Sequence, residues 1–498
     1  MKILFVRPPR YMWPMNSESS SFWQPLGFAS MAAVLRENDF NAEILDCLPL
    51  KIGWKSLEKE IRTRRPDILC VGDETASYYE AVKLIDLTKS IDKGIICVAG
   101  GYHFGNTIPE SFKETKVDYI VKGEGELTLL ELVKAIQTKR QLSKIKGLAY
   151  RHSGSIKINP ERELIGNLDS LPFPAYDLLP MHLYGANSKN HKDFVALEHG
   201  RGCIGGCNFC SIWMQMSKKG RPCYRTKSAQ RSFEETEFFV KKYRRKTINW
   251  ADGTFNIDSN WNQQYFKLLA SNNVQVQHTT WMRSDCIVRD EKDGILKKMV
   301  ENGLVQAVIG MERFDNLSMN ALGKKNNSYE ISDQAFKILR EKYPSVYTIL
   351  TLIYGMPDDN WKDLFKINKM IHSNIADMVF MMPYTPYPST KLWNEHKGQL
   401  KNVDLRKFNL HLPIMGTKHI SKSMLDLWFK FSLLDYVLFR PRNLIRRIVK
   451  EEDQRKKSVQ KSLAKKILRL GTQHIWNKLT FRDGYELEYG IKPGWYDS

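Results

Sequence analysis

At 498 residues and 42% hydrophobic content, the chain is too long for one ordinary domain and too apolar to be disordered, so two or three domains are expected. Its formal charge of +21 suits an anionic partner, whether nucleic acid, anionic lipid or an acidic substrate. No apolar stretch reads as a signal peptide or approaches the ~18 residues that span a bilayer, and eight scattered or clustered cysteines in such a chain do not read as a disulfide framework, so a cytoplasmic protein is expected.

Residues 2–6 form a short apolar strand stopped by Pro8 and Pro9, and a helix begins near Pro25-Leu26-Gly27 with Ala29, Ala32, Ala33 and Leu35 as a close-packing face. Strands over 43–46, 66–72, 95–99 and 119–121 alternate with helices over 57–64, 79–90 and 127–137. This alternation predicts an α/β, doubly wound, Rossmann-like parallel domain over 1–140. Its glycines and polar residues stand at the carboxyl ends of strands, where such sheets bind nucleotide-sized ligands. Residues 141–190 read as a connector: a hairpin from 147–151 and 155–158, then Leu171-Pro-Phe-Pro-Ala-Tyr-Asp177, whose prolines favour an extended tether.

A second strand–helix series occupies 191–395. Strands near 195–198, 247–251, 276–281, 306–309, 347–353 and 378–382 alternate with helices such as 234–243, 293–302, 329–342 and 361–373. Six strands predict a partial βα barrel with its chemistry on the loops after the strands. The loop after the first of them carries Arg201-Gly202-Cys203-Ile204-Gly205-Gly206-Cys207-Asn208-Phe209-Cys210. Its glycines allow tight turns, so the C-x3-C-x2-C thiolates can curl around one metal centre. Three ligands are one short of the four that usually hold an iron–sulfur cube, which leaves one iron for a substrate or cofactor. A structural zinc site completed by Cys223 or His199 is the competing reading, without the paired C-x2-C spacing zinc commonly uses. Cys47, Cys70, Cys97, Cys223 and Cys286 read as buried small hydrophobes in a reducing compartment.

Residues 396–498 are predicted to be helical and basic. Met424 to Phe439 is apolar nearly all round and must bury most of its surface. The 440–470 stretch sets twelve Lys and Arg against Glu451, Glu452 and Asp453, which reads as a solvated helix face or a peripheral membrane-surface contact. No nucleic acid is expected, because no binding motif accompanies the charge. Trp476, Tyr485, Tyr489, Trp495 and Tyr496 form an aromatic tail suited to a hydrophobic substrate.

The cysteine spacing, with Phe209 and Trp213, resembles the radical S-adenosylmethionine (SAM) superfamily. That resemblance implies that Cys203, Cys207 and Cys210 bind three irons of a 4Fe–4S cluster while the fourth iron chelates SAM. An electron then cleaves SAM to a 5′-deoxyadenosyl radical, and the protein contributes placement and exclusion of water. It further implies Asp252, in Trp250-Ala-Asp-Gly253, as receiver of the SAM amino group, with Arg283 and Ser284 toward the carboxylate. Glu312, in Ile309-Gly-Met-Glu-Arg313, would meet the ribose, and Gly355, in Gly355-Met-Pro357, would lie beside the adenine.

The first domain resembles the cobalamin-binding domain that precedes the barrel in one large subgroup, through Ala99-Gly-Gly-Tyr-His103 and Lys122-Gly-Glu-Gly-Glu126. Thr75, Ser77, Gly100, Gly101 and Glu124 are its implied cofactor contacts. The D-x-H-x-x-G loop that gives a histidine to cobalt is absent, since no histidine precedes His103. Pro383 to Thr390, Phe408 to Met415 and Cys210-Ser-Ile-Trp213 look like the anaerobic magnesium-protoporphyrin monomethyl ester oxidative cyclase group. This implies oxidation of an unactivated carbon on a tetrapyrrole or other large, partly apolar small molecule, with flavodoxin or ferredoxin as electron donor. Cobalamin-dependent C-methyl transfer is the alternative, and a non-catalytic zinc-stabilised binding protein the remoter one.

Overall fold

Lys2–Arg7 (β1) has its four central residues fully buried, as a strand covered on both faces must. It lies between Asn41–Asp46 (β2) and Ile68–Gly72 (β3), and the sheet continues through Ile96–Gly100 (β4) and Tyr119–Val121 (β5), all parallel. The hairpin Leu148–His152 (β6) and Ser155–Ile158 (β7) joins the same sheet antiparallel to β5, so the order is β2-β1-β3-β4-β5-β6-β7. Strand order reverses between β1 and β3, which places the ligand crevice of such a sheet at their carboxyl ends. The coordinates are a computed structural model, which describes residues 1–10, 23–72, 74–184, 194–218, 220–324, 327–373, 375–400, 402–435 and 494–498.

The proline-rich connector is packed between the two halves rather than hanging as a tether. Ala175 N donates to Ala29 O at 2.9 Å, and Tyr176 Oη to Ala196 O at 3.2 Å. Tyr184 Oη donates to Asp46 Oδ2 at 2.6 Å, and Asp46 is also held by Arg7. Tyr176 and Tyr184 belong to one hydrophobic core that runs from Ile3 and Phe5 to Val195 and Trp250. Burying aromatic rings outweighs the extended preference of the flanking prolines.

The second sheet is parallel throughout: Phe194–Leu197 (β8), Thr247–Trp250 (β11), Gln277–Met282 (β12), Leu304–Glu312 (β13), Tyr347–Tyr354 (β14) and Met378–Pro383 (β15), in the order β15-β14-β13-β12-β11-β8. Two short antiparallel strands, Gly200–Gly202 (β9) and Tyr224–Thr226 (β10), follow β8 and were not legible in the sequence. Where one helix was expected over 293–302, Gly294 at φ +70° separates Ser284–Lys292 from Ile295–Glu301. Trp361–Ile371 begins at a capping box in which Asn360 and Asp363 exchange side-chain and backbone hydrogen bonds.

Trp250 Nε1 can only donate, and it donates to His278 Nδ1 at 3.1 Å, which places the proton of neutral His278 on Nε2. Burial lowers His278 to about 3 and His103 to about 4. The stability of these neutral imidazoles is complete above the unfolded value near 6.5. It is lost as pH falls toward the folded values, at about 1.4 kcal/mol per pH unit for each histidine. Urea midpoints measured from pH 7 down to 5 should fall accordingly, and His278→Asn should flatten the slope.

The helix Lys422–Leu434 buries Leu425 and Phe429, the latter stacked on Tyr354 with centroids 5.4 Å apart. Near the end of the chain, Tyr496 packs on Trp54 at 6.3 Å. The expected continuation of the apolar helix to Phe439, the basic 440–470 stretch, and Trp476, Tyr485 and Tyr489 lie outside the described residues. Among the described residues, no helix is long and apolar enough to cross a membrane.

Candidate active site

The cysteine loop is held by its own backbone. Gly202 sits at φ +89°, and a methyl there would lie 2.0 Å from Cys223 O, so only glycine fits. Cys203 N donates to Cys223 O at 3.1 Å, Cys210 N to Cys207 O at 3.2 Å, and Trp213 Nε1 to the same carbonyl at 2.8 Å. Asn208 N reaches Leu322 O at 2.8 Å, tying the loop to the segment after β13.

Two of the thiols and Arg283 surround Gly205. A methyl on Gly205 would stand 3.5 Å from Cys203 Sγ, 3.7 Å from Cys207 Sγ and 3.0 Å from Arg283 Nη1. Burial raises the Cys207 thiol, and burial with the neighbouring thiols pushes Cys210 up to about 12. Only a bound cation makes such thiols into thiolates at neutral pH, and iron would supply it. Thiolates of one tetrahedral zinc stand about 3.8 Å apart. Among the described residues, no three His, Cys, Asp or Glu side chains converge closely enough for a single ion. Three cysteines supplied by one loop suit a cluster that takes one thiolate per iron. Gly205→Val should therefore lower bound iron at least tenfold while the far-UV circular dichroism is kept.

Arg283 lies beside these thiols, and the charges of Glu312 and Lys324 act on Cys207. Arg283 is fixed by Asp285 at 2.9 and 2.7 Å and lies close to Cys203. Beside it, at the start of its helix, the Ser284 hydroxyl is buried and has no hydrogen-bond partner among the described residues. This orphaned donor next to a guanidinium suits the carboxylate that the sequence resemblance assigns there. Glu312, at φ +69°, accepts from Lys324 Nζ and Thr351 Oγ1, each at 3.3 Å. Lys324, which sequence reasoning missed, is buried, and its charge opposes the rise of the Cys207 thiol. Its only sequence signal is a lysine after Gly323 in a loop distant from the motif.

Asp252, Gly355 and Glu124 all meet protein neighbours in this structure. Asp252 Oδ1 accepts from His199 N at 2.9 Å and Gly200 N at 2.8 Å, and Oδ2 pairs with His199 Nδ1 at 2.6 Å. His199 Nε2 meets Tyr224 Oη at 3.0 Å, so this buried chain braces β9 and β10. Leu425 lies 3.1 Å from where a methyl on Gly355 would stand. The Glu124 carboxylate accepts from Arg201, Arg225 and Ile165 N.

In the first domain, Thr75 and Ser77 follow β3 and are buried: Thr75 Oγ1 meets His103 Nδ1 at 3.2 Å, and Arg10 Nη1 donates to Ser77 Oγ at 2.9 Å. Both hydroxyls have protein partners in this structure. Gly100 is extended against Val121 O, and Gly101 turns at φ +86°. The turn leaves Tyr102 37% exposed at the end of β4 while His103 is buried against Tyr78 at 4.3 Å. The residues therefore fit a cobalamin that receives no imidazole from this loop. Tyr102 reaches the cysteine loop: burial, with Cys210, Glu198 and Glu74 adding to it, pushes its phenol up to about 12. Gln215 Nε2 lies 3.5 Å from Tyr102 O.

The segments after β15 pack on one another and meet the first domain. Tyr387 Oη donates to Phe408 O at 2.7 Å, Trp393 and Phe408 rings lie 6.2 Å apart, and Arg406 stands 5.4 Å over Tyr79 of the first domain.

Comparison with known proteins agrees with this geometry. Residues 197–370 match the radical SAM superfamily, and residues 12–133 match the B12 binding domain. The chain is 28% identical over 90% of its length to an uncharacterised methyltransferase of Pyrococcus horikoshii, of which it covers 95%. It is 26% identical over 83% of its length to the anaerobic magnesium-protoporphyrin IX monomethyl ester cyclase of Rubrivivax gelatinosus, covering 73% of that protein. In fold it matches the cobalamin-dependent SAM radical enzyme OxsB with a TM-score of 0.71 at 14% identity, over 98% of this chain and 76% of that one.

Proposed function

Because the chain is a radical SAM enzyme that carries a cobalamin-binding domain, we propose that it transfers a methyl group to an unactivated carbon of a large, partly apolar small molecule. The observation that carries the reading is the contact between two carboxyl edges: Cys203, Cys207 and Arg283 surround Gly205, and Gln215, just past the cysteine loop, donates to Tyr102 O at the end of β4 at 3.5 Å. When bound, the cluster supplies the electron that opens the SAM sulfonium and cobalamin supplies a carrier for the transferred carbon. The chain's own residues place and shield these groups. Cys203, Cys207 and Cys210 hold three irons, Arg283 and Ser284 orient the SAM carboxylate, and the Glu312–Lys324 pair sets the charge beside Cys207. Tyr384, Tyr387, Trp393 and Phe408 give the substrate side an aromatic wall that keeps water out. A one-electron protein such as flavodoxin or ferredoxin is the donor in this reading.

Methyl transfer is preferred to the oxidative cyclisation toward which the motifs after β15 lean, since the match to the archaeal methyltransferase runs nearly end to end. The cyclase likeness supports the second reading. Reduced, reconstituted protein incubated with methyl-deuterated SAM and cell extract tests both. Formation of 5′-deoxyadenosine with label in the product supports methyl transfer, and an unlabelled oxidised or ring-closed product supports cyclisation. Absence of 5′-deoxyadenosine sinks both.

A further inference from the structure

Arg201 lies two residues before Cys203, and three carboxylates from two domains grip its guanidinium. Nη1 donates to Glu124 Oε1 at 2.8 Å, Nη2 to Glu126 Oε1 at 2.7 Å, and Nε to Glu198 Oε2 at 2.9 Å. The Arg201, Glu124 and Glu126 side chains are 9%, 3% and 5% exposed. Glu124 also accepts from Arg225 Nη1 at 2.9 Å and from Ile165 N at 2.7 Å, while Ser30 Oγ donates to Glu126 Oε1 at 2.9 Å. Glu124 and Glu126 stand just past β5, at the start of the helix Gly125–Thr138, on the carboxyl edge of the cobalamin-binding sheet.

A buried ion pair of this kind adds little net stability over apolar packing of the same volume, but it holds a register, because each charge tolerates only one arrangement. The planar guanidinium suits that task, since each donor direction is assigned to a different carboxylate and rotation in the plane breaks all of them. A displacement of about 1 Å at a reacting centre can cost a hundredfold in rate, so a device that fixes one cofactor domain against the other has a function. We propose that Arg201 is a positioning residue: gripped by Glu124 and Glu126, it sets the distance and orientation of the cysteine loop relative to the cobalamin-binding sheet. The proposal rests on the cluster and cobalamin reading above for its purpose, and on the ion set alone for its mechanics.

The test uses the full chain. Arg201→Lys keeps the charge but cannot reach three carboxylates at once, and Glu126→Gln removes one grip with little change of shape. Without cofactors, amide hydrogen exchange over residues 200–210 should quicken at least tenfold in both variants while β11 to β14 exchange as in the wild type. With cofactors loaded, iron content should persist, while the magnetic coupling between cob(II)alamin and the reduced cluster should spread over a wider range. Wild-type exchange in the loop, or equal acceleration throughout the chain, overturns the proposal; the first denies the grip and the second makes Arg201 a general fold residue. The exchange measurement needs no cofactor, so its failure is separable from the absence of iron that would refute the cluster itself.

Discussion

Replacing any one of Cys203, Cys207 and Cys210 by alanine is expected to abolish reductive cleavage of SAM, by more than the roughly ten- to hundredfold loss that changes around a metal's ligands produce. In the proposed cluster each thiol would anchor a different iron, so no neighbour could stand in for it. Cys223 contributes its carbonyl to Cys203 N, and Cys286 is buried in the helix after β12. The measurements are iron and sulfide per chain and the yield of 5′-deoxyadenosine. The fold should survive, because the loop is held by Gly202, the Trp213 and Asn208 hydrogen bonds and the β9–β10 pairing, none of which uses a thiol. Loss of secondary structure in these variants would contradict that division of labour.

The second large effect lies off the chemistry. Asp359→Ala should destabilise the barrel by about 3–5 kcal/mol, the usual consequence of leaving a buried charge unpaired. Asp359 receives Arg313 Nη1 and Nη2 at 2.9 and 2.7 Å, and both side chains are 5% exposed. The same carboxylate accepts from Gly355 N at 2.9 Å and Met356 N at 3.0 Å, so it closes the turn after β14. Arg313 also donates to Ile353 O, tying the ends of β13 and β14 together. A urea titration should show the midpoint fall with its slope unchanged. If the midpoint holds, the pair is a bystander and Glu312 must be positioned by its own loop.

The elements with a strong local signal were legible. Four buried apolar residues in a row predict β1, and alternation of strand and helix predicts both parallel sheets, because a parallel sheet must be covered on both faces. The cysteine motif is legible for a similar reason: its three cysteines fall in one loop, so spacing alone marks it. The partner of Asp252 was not legible, because a carboxylate after a barrel strand looks the same whether it faces a ligand or a histidine. Only packing shows that His199, its ring tilted 3.9 Å from Trp261, pairs with it. The neighbour of Gly355 was hidden in the same way, since Leu425 comes from far along the chain.

By itself, then, the sequence determined the class of chemistry, the two sheets and the loop that gathers three cysteines, all of which rest on contacts between near neighbours. The tertiary structure decided what that loop faces. Arg201 meets Glu124 and Glu126 across 77 and 75 residues, and Lys324, from beyond β13, pairs with Glu312. Charges so far apart carry no spacing signal; only the folding of two sheets edge to edge brings them into contact.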